Sequence, residues 1–178
     1  LLVGPDSSHS PPRWHTLTEA FDLINQPTAD EWRVTSTEGS TMIFGGALSN
    51  RVTTPGDTPG TFDTLEWLLA SIEDTYGNAI HFSWENGAPG DEGDPRLASI
   101  DYAGETRLVE FVYEPRPDPI RTWEGGIRRV AQERLREVRV SVNGALHHRV
   151  VLTYDTPSLT NLSRLRRVQR FGSDCDPS

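Results

Sequence analysis

Apolar and polar residues alternate along this chain in short runs, and the runs recur in a two-part phrase. The first part reads Arg-Leu-x-x-Ile/Val. A polar turn follows, then an alternating apolar run closing on Tyr or Trp and an acid. Arg96-Leu97-Ala98-Ser99-Ile100 leads to Val109-Glu110-Phe111-Val112-Tyr113-Glu114. Arg134-Leu135-Arg136-Glu137-Val138 leads to Val150-Val151-Leu152-Thr153-Tyr154-Asp155. Leu68-Leu69-Ala70-Ser71-Ile72 leads to Ile80-His81-Phe82-Ser83-Trp84-Glu85, and Arg164-Leu165-Arg166-Arg167-Val168 opens a further copy that is cut short. A period of two with a turn between runs predicts β-hairpins, and their repetition predicts hairpins in series building one large sheet.

Turn chemistry places the hairpins. Trp32–Ser36 and Thr41–Gly45 flank Glu38-Gly39, and the next pair turns at Asp74-Thr75-Tyr76-Gly77-Asn78. A third turns near Ala103-Gly104. A fourth turns at Asn143-Gly144, a dipeptide in which both positions tolerate positive φ. Residues 1–13, with Pro5, Pro11 and Pro12, read as an extended lead-in. Thr16 to Ile24 is the best helix candidate, because Leu17, Ala20, Phe21 and Ile24 share one helical face. Residues 49–63 and 86–95 read as polar loops, and 115–132 as a long connection punctuated by Pro115, Pro117 and Pro119.

The predicted fold is therefore all-β: serial antiparallel hairpins in a large curved sheet, with at most one or two short helices. The predicted organisation is a lead-in over residues 1–30, a β-hairpin domain over 31–174 and a tail over 175–178. Val109, Phe111 and Tyr113 share one face; so do Val138, Val140 and Val142, and Val150, Leu152 and Tyr154. A sheet with one apolar face must bury it against something.

Size and charge narrow the class. The chain has 178 residues, enough for a sizeable core, yet hydrophobic residues make up only 35% of it, at the low end for a compact globule. The formal net charge of −9 argues against nucleic acid or an anionic membrane as the main partner. No apolar run is long enough to span a bilayer. The lone Cys175 cannot close an internal disulfide, and the acids beside it work against a reactive thiolate. The abrupt start at Leu1 suggests a piece of something longer.

The phrases resemble a known family. Trp32-Arg33-Val34-Thr35 with Gly39 and Ile43-Phe44-Gly45 is similar to the opening of the SpvB-type domain. Trp67-Leu68-Leu69 with Ile72, Asp74, Gly77-Asn78, Ile80 and Phe82 resembles its next phrase, and Val109-x-Phe111-x-Tyr113-Glu114-x-Arg116-x-Asp118 the one after. Arg134-Leu135, Val138 and Leu152-x-Tyr154 fit the following hairpin. The SpvB-type domain that these phrases resemble is the amino-terminal region of Salmonella virulence plasmid B proteins and is shared with the B component of insecticidal Tc toxins and with Rhs/YD-repeat proteins. The resemblance covers roughly residues 30–174. It implies a β-rich piece of a secreted or extracellular shell around a toxic cargo. The implied partners are flanking shell domains, or other copies joined through sheet edges. It carries no toxin catalysis onto this chain, because the enzymatic end of such proteins lies elsewhere.

Chemistry is sparse. Asp91, Glu92 and Asp94 sit in a Gly-flanked loop, and Asp57 and Asp63 in the other long loop. Hard oxygen ligands on a loop suit Ca²⁺, although the spacing is not that of an EF-hand. This motivates an alternative: a Ca²⁺-dependent hydrolase of a small ester or lactone, with no catalytic residue assignable. Glu114, Arg116 and Asp118 read first as a structural salt link and second as a carboxylate pair shaping a pocket. His147 and His148, adjacent in a strand, should point to opposite faces and so fail to share a metal. Trp14, Trp32, Trp67, Trp84 and Trp123 read as core plugs, or else as the lining of a carbohydrate- or receptor-binding module. Nucleophile-elbow, H-E-x-x-H, Walker and dinucleotide motifs are absent.

Overall fold

The computed structural model describes residues 2–18, 20–55, 62–85, 94–124, 127–156 and 161–174. The chain divides into two compact units, Leu1–Phe82 and Ser83–Ser178.

The first unit is an antiparallel meander. Its strands are β1 (Leu2–Asp6), β2 (Arg13–Thr16), β3 (Leu23–Thr28), β4 (Glu31–Thr35), β5 (Thr41–Gly45), β8 (Leu69–Glu73) and, as far as Phe82, β9 (Ala79–Glu85). Between β5 and β8 a 3₁₀ turn (Leu48–Asn50) leads into a separate ribbon of β6 (Arg51–Pro55) and β7 (Phe62–Trp67). Trp32 sits opposite Phe44 and Val34 opposite Met42, so the predicted hairpin around Glu38-Gly39 forms in the expected register. Thr41 of β5 meets Glu73 of β8, and Ile72 of β8 meets Ile80 of β9.

The second unit runs β10 (Arg96–Tyr102), β11 (Arg107–Glu124), β12 (Ile127–Val142), β13 (Ala145–Asp155) and β14 (Arg164–Gly172), each antiparallel to the next. Asn143 and Gly144 turn the β12–β13 hairpin with φ of 50° and 76°, the left-handed geometry that this dipeptide tolerates.

The all-β prediction holds, with four local corrections. First, no α-helix forms at Thr16–Ile24, or anywhere among the described residues. Ile24 instead lies in β3, opposite Trp14 on one side and Val34 on the other. Leu17 and Phe21, two members of the supposed helical face, are 70% and 77% exposed. A helix this short is marginal in water, and flanking strands offer the backbone a complete ladder. Second, the proline-rich lead-in is extended as expected but is also paired: β1 pairs with β2, Leu2 opposite Thr16. Pro5 is tolerated because β1 is an edge strand.

Third, both ends of the loop predicted at 49–63 belong to the β6–β7 ribbon, with Arg51 opposite Trp67 and Pro55 opposite Phe62; residues 56–61 lie outside the described residues. Val52, Thr53 and Thr54 are β-branched and favour strands, a signal outweighed in the sequence by the Gly and Pro residues that follow them. Fourth, the connection predicted at 115–132 is the far arm of the β11–β12 hairpin, from Ile120 opposite Ala131 to Glu124 opposite Ile127. Pro115, Pro117 and Pro119 fall at every second position, so their missing N–H groups all lie on one edge of β11. The ladder still pairs Pro115 with Glu133 and then passes over Pro117 and Pro119 in a register shift between Pro115 and Ile120.

Burial is thin. Among the described residues, the buried apolar side chains are Ile24, Val52 and Val130. The apolar stripes of the remaining strands are half-covered rather than sealed.

Candidate functional site

The recurring phrase has a physical meaning in the second unit, where it builds a ladder. The guanidinium of Arg96 lies 5.2 Å from the centre of the Tyr113 ring, and the Tyr113 hydroxyl donates to the Leu97 carbonyl at 2.9 Å. One hairpin later the constellation repeats. Arg134 lies 4.3 Å from the Tyr154 ring centre, and Tyr154 donates to the Leu135 carbonyl at 2.6 Å. Each Tyr therefore reaches back to the Arg-Leu that opens its own phrase.

The acid after each Tyr reaches forward. Glu114 accepts from Arg134 at 2.7 Å, and Asp155 accepts from Arg164 at 3.2 Å. The register is the same in both places: Tyr113 faces Leu135 and Glu114 faces Arg134, while Tyr154 faces Leu165 and Asp155 faces Arg164. An irregularity immediately precedes each Tyr, between Val112 and Tyr113 and between Thr153 and Tyr154. Such a bulge re-aims the following side chain, and that swings the ring along the neighbouring strand. Burial pushes both phenols above their ordinary pKa, with the nearby Arg96 and Arg134 acting in the opposite direction.

A second polar network ties the far end of β11 to the chain entering β14. Asp118 accepts from the Ser163 amide at 2.7 Å and from the Ser163 hydroxyl, and pairs with Arg116 at 3.2 Å. Arg134 donates to the Ser163 oxygen at 2.6 Å. The Arg116 guanidinium, and after it the Ser163 hydroxyl and amide, hold the Asp118 carboxyl well below the usual carboxylate range. The salt link read from the sequence is thus present, but Glu114 and Asp118 serve different arginines. Ser163 and the nearly buried Glu137, which accepts from Arg139 at 2.9 Å, were not singled out from sequence. The recurrence of Arg-Leu was the signal for Arg134; nothing comparable marks Ser163.

The first unit gathers three indoles. Trp14 and Trp32 meet edge to face at 5.1 Å, and Trp32 and Trp67 at 5.9 Å. With Leu2, Ile24, Val34 and Phe44, the rings of Trp32 and Trp67 line an open apolar pocket of about 270 Å³. Trp67 donates its indole N–H to the Ala29 carbonyl at 3.3 Å. Trp123, by contrast, is 72% exposed on the second unit, and Trp84 lies in β9.

The remaining sequence candidates separate. Asp91, Glu92, Asp57 and Cys175 lie outside the described residues. Asp63 is exposed in β7 opposite Thr54, and Asp94 precedes β10. Among the described residues, no group of three His, Cys, Asp or Glu side chains is placed to hold a metal. Asp74 is a turn residue: it accepts from the Tyr76 and Asn78 amides at 2.8 and 2.9 Å, and the Asn78 bonds lower its pKa most.

His147 and His148 correct the expectation that they point apart. Their Nδ1 atoms lie 2.9 Å from each other. Val140 faces His148 while Ser141 faces Leu146, so His147 is the extra residue of a bulge, and strand alternation fails there. Burial, then Arg170 and His147, lowers the His148 pKa. Two nitrogens beside a guanidinium make a poor metal site.

The fold defines a class of protein: serial antiparallel β-hairpins, cross-braced from strand to strand in the second unit. The chain belongs to the SpvB family, since residues 12–100, half of its length, match the Salmonella virulence plasmid 65kDa B protein. Among solved structures it is similar to the N-terminal domain of effector protein SpvB from Salmonella typhimurium strain LT2, with a TM-score of 0.71 and 15% identity. That match covers 90% of this chain and 68% of the other. No curated protein matches the chain. Among the described residues, no helix is long and apolar enough to cross a membrane.

Proposed function

We propose that this chain is a structural β-module of a secreted toxin-related protein. It would act as a wall segment that packs against flanking domains and helps enclose a cargo, with no reaction of its own. The observation that carries the reading is the thin core. Strands with period-two apolar faces leave only three apolar side chains buried among the described residues. Apolar surface left half-covered is characteristic of a face that meets another layer. The side-chain chemistry agrees, because Arg96, Arg134, Arg164, Tyr113, Tyr154, Glu114 and Asp155 are engaged in bracing neighbouring strands. Membership in a family of virulence proteins, and the likeness to the N-terminal domain of an effector, favour an exported role.

The test is dye binding by the isolated chain. A folded chain with half-covered sheet faces should bind several molecules of an apolar fluorescent dye while keeping its β-type circular dichroism. A monomer that keeps the dye dark has sealed its faces, and the wall reading is then wrong.

A further inference from the structure

We propose that the indole-lined pocket of the first unit is a binding site for one small ligand: a neutral, flat, two-ring aromatic molecule of the size of indole or naphthalene. The site adds to the wall reading and does not depend on it.

The pocket is built by strand register. Ile24 of β3 lies opposite Val34 of β4, and Trp32 of β4 lies opposite Phe44 of β5. Cross-strand partners share a face, and so do residues two apart on one strand, so these four side chains form one apolar floor. Leu2 of β1 and Trp67 of the β6–β7 ribbon complete the lining.

The Trp67 ring is anchored rather than free to fall into the space. Its indole N–H donates to the Ala29 carbonyl at 3.3 Å. The next amide, of Leu68, donates to the Asn50 carbonyl at 2.8 Å, and the Leu68 carbonyl accepts from the Gly45 amide at 2.9 Å. The Gly45 backbone lies so close to the ring that an added Cβ would strike it. Pinned in this way, the ribbon holds an aromatic wall at a fixed distance from the floor.

Size, charge and shape select the ligand. A cavity of about 150 Å³ takes up one benzene ring, so about 270 Å³ has room for two fused rings. Among the described residues the lining side chains are all apolar. A charged ligand would lose its water here and gain no partner, and a sugar would leave hydroxyls unpaired. Three of the six lining side chains, Trp32, Phe44 and Trp67, are aromatic, and ring pairs gain more than their buried area alone supplies. Trp32 and Trp67 already meet edge to face at 5.9 Å, an arrangement that a flat guest extends.

Prodan, a neutral naphthalene whose emission shifts with polarity, is the probe, titrated into the full chain. The expected result is one saturable site per chain, with blue-shifted prodan emission and quenched tryptophan emission. Indole should displace the probe; naphthalene-2-sulfonate, a charged naphthalene, should not. Leu2→Trp fills the pocket from a position that is 41% exposed, and should weaken prodan binding about tenfold or more by overpacking the site. If that variant fails to fold, the ligand series on the unaltered chain still decides. The proposal is overturned by the absence of a saturable site, by equal displacement with the sulfonate, or by unchanged affinity in a Leu2→Trp chain of native circular dichroism. It is overturned too if a Trp-bearing hexapeptide displaces prodan far better than indole does, which would assign the pocket to a polypeptide partner. Several dye sites without tryptophan quenching would leave the wall reading standing and remove the ligand site. A single quenching site and no others would do the reverse.

Discussion

Tyr154 donates its hydroxyl to the Leu135 carbonyl at 2.6 Å, from a ring stacked under the Arg134 guanidinium. The two contacts can be separated. Tyr154→Phe keeps the ring under Arg134 and deletes only the hydrogen bond. The expected loss is about 1 kcal/mol of unfolding free energy, read as a lower denaturant midpoint with unchanged slope. Tyr154→Ala removes both contacts and the ring's packing, and should cost clearly more. Equal effects from Phe and Ala would mean that the ring contributes nothing.

The two tyrosines also predict an alkaline limit. Burial raises both phenol pKa values above the ordinary 10.0. The folded chain therefore holds these protons where the unfolded chain has begun to release them. Their contribution is fully present below pH 10 and is lost as pH rises through the folded values. Melting temperature should fall from about pH 10 upward, and the Tyr113→Phe, Tyr154→Phe double variant should show a shallower fall. An unchanged slope would place the alkaline transition elsewhere.

Asp118 sets an acid limit of opposite sign. Its carboxyl is held well below its ordinary value by Arg116 and then by Ser163. The unfolded chain takes up this proton first as pH drops. The stabilisation is present above the unfolded value of 3.8 and disappears as pH falls through the folded one. Asp118→Asn keeps the shape without the charge. It should destabilise the chain at neutral pH and flatten the acid side of the stability profile. Parallel profiles for the two proteins would show that another carboxylate dominates acid unfolding.

Much of this organisation was legible in the residues. The turns at Glu38-Gly39, Asp74–Asn78 and Asn143-Gly144 were readable because each has its own backbone chemistry. The paired phrases were readable as strands because period two survives in them. The β6–β7 ribbon and the distal β11–β12 arm were not, because prolines and glycines that punctuate loops also decorate edges and bulges. The helix expected near Phe21 failed because four apolar residues matched a helical spacing that the neighbouring strands overrode. The ladder was visible as a repeat but not as contacts. The bulges before Tyr113 and Tyr154 aim the rings, and a bulge leaves no residue signature. The same blindness hid the meeting of His147 and His148.

Gly45 and Gly77 offer a matched pair of backbone tests. Both have positive φ, 79° and 82°, so alanine is strained at either. At Gly77 an added Cβ meets nothing, and the cost should be the left-handed penalty of about 1–2 kcal/mol. At Gly45 the same Cβ runs into the Asp30 carbonyl and the Trp67 ring. Gly45→Ala should therefore destabilise more than Gly77→Ala and should also change tryptophan fluorescence, because it moves a ring of the indole cluster. Equal costs would show that the β4–β5 end can shift away freely.

Calcium separates the wall from the hydrolase. A metal bound by the acidic segment around Asp91, Glu92 and Asp94, or by Asp57 and Asp63, would bind the folded state and raise the melting midpoint. At a hundredfold excess over the dissociation constant the gain is about 2.7 kcal/mol, several degrees for a chain of this size. The structural reading predicts that midpoints in millimolar Ca²⁺ and in EDTA coincide. It also predicts that simple nitrophenyl esters and lactones are not turned over in either. A Ca²⁺-dependent rise abolished by Asp91→Ala with Asp94→Ala, accompanied by ester turnover, would replace the wall with an enzyme. A rise without turnover would make the ion a brace of the 86–95 segment and leave the wall intact.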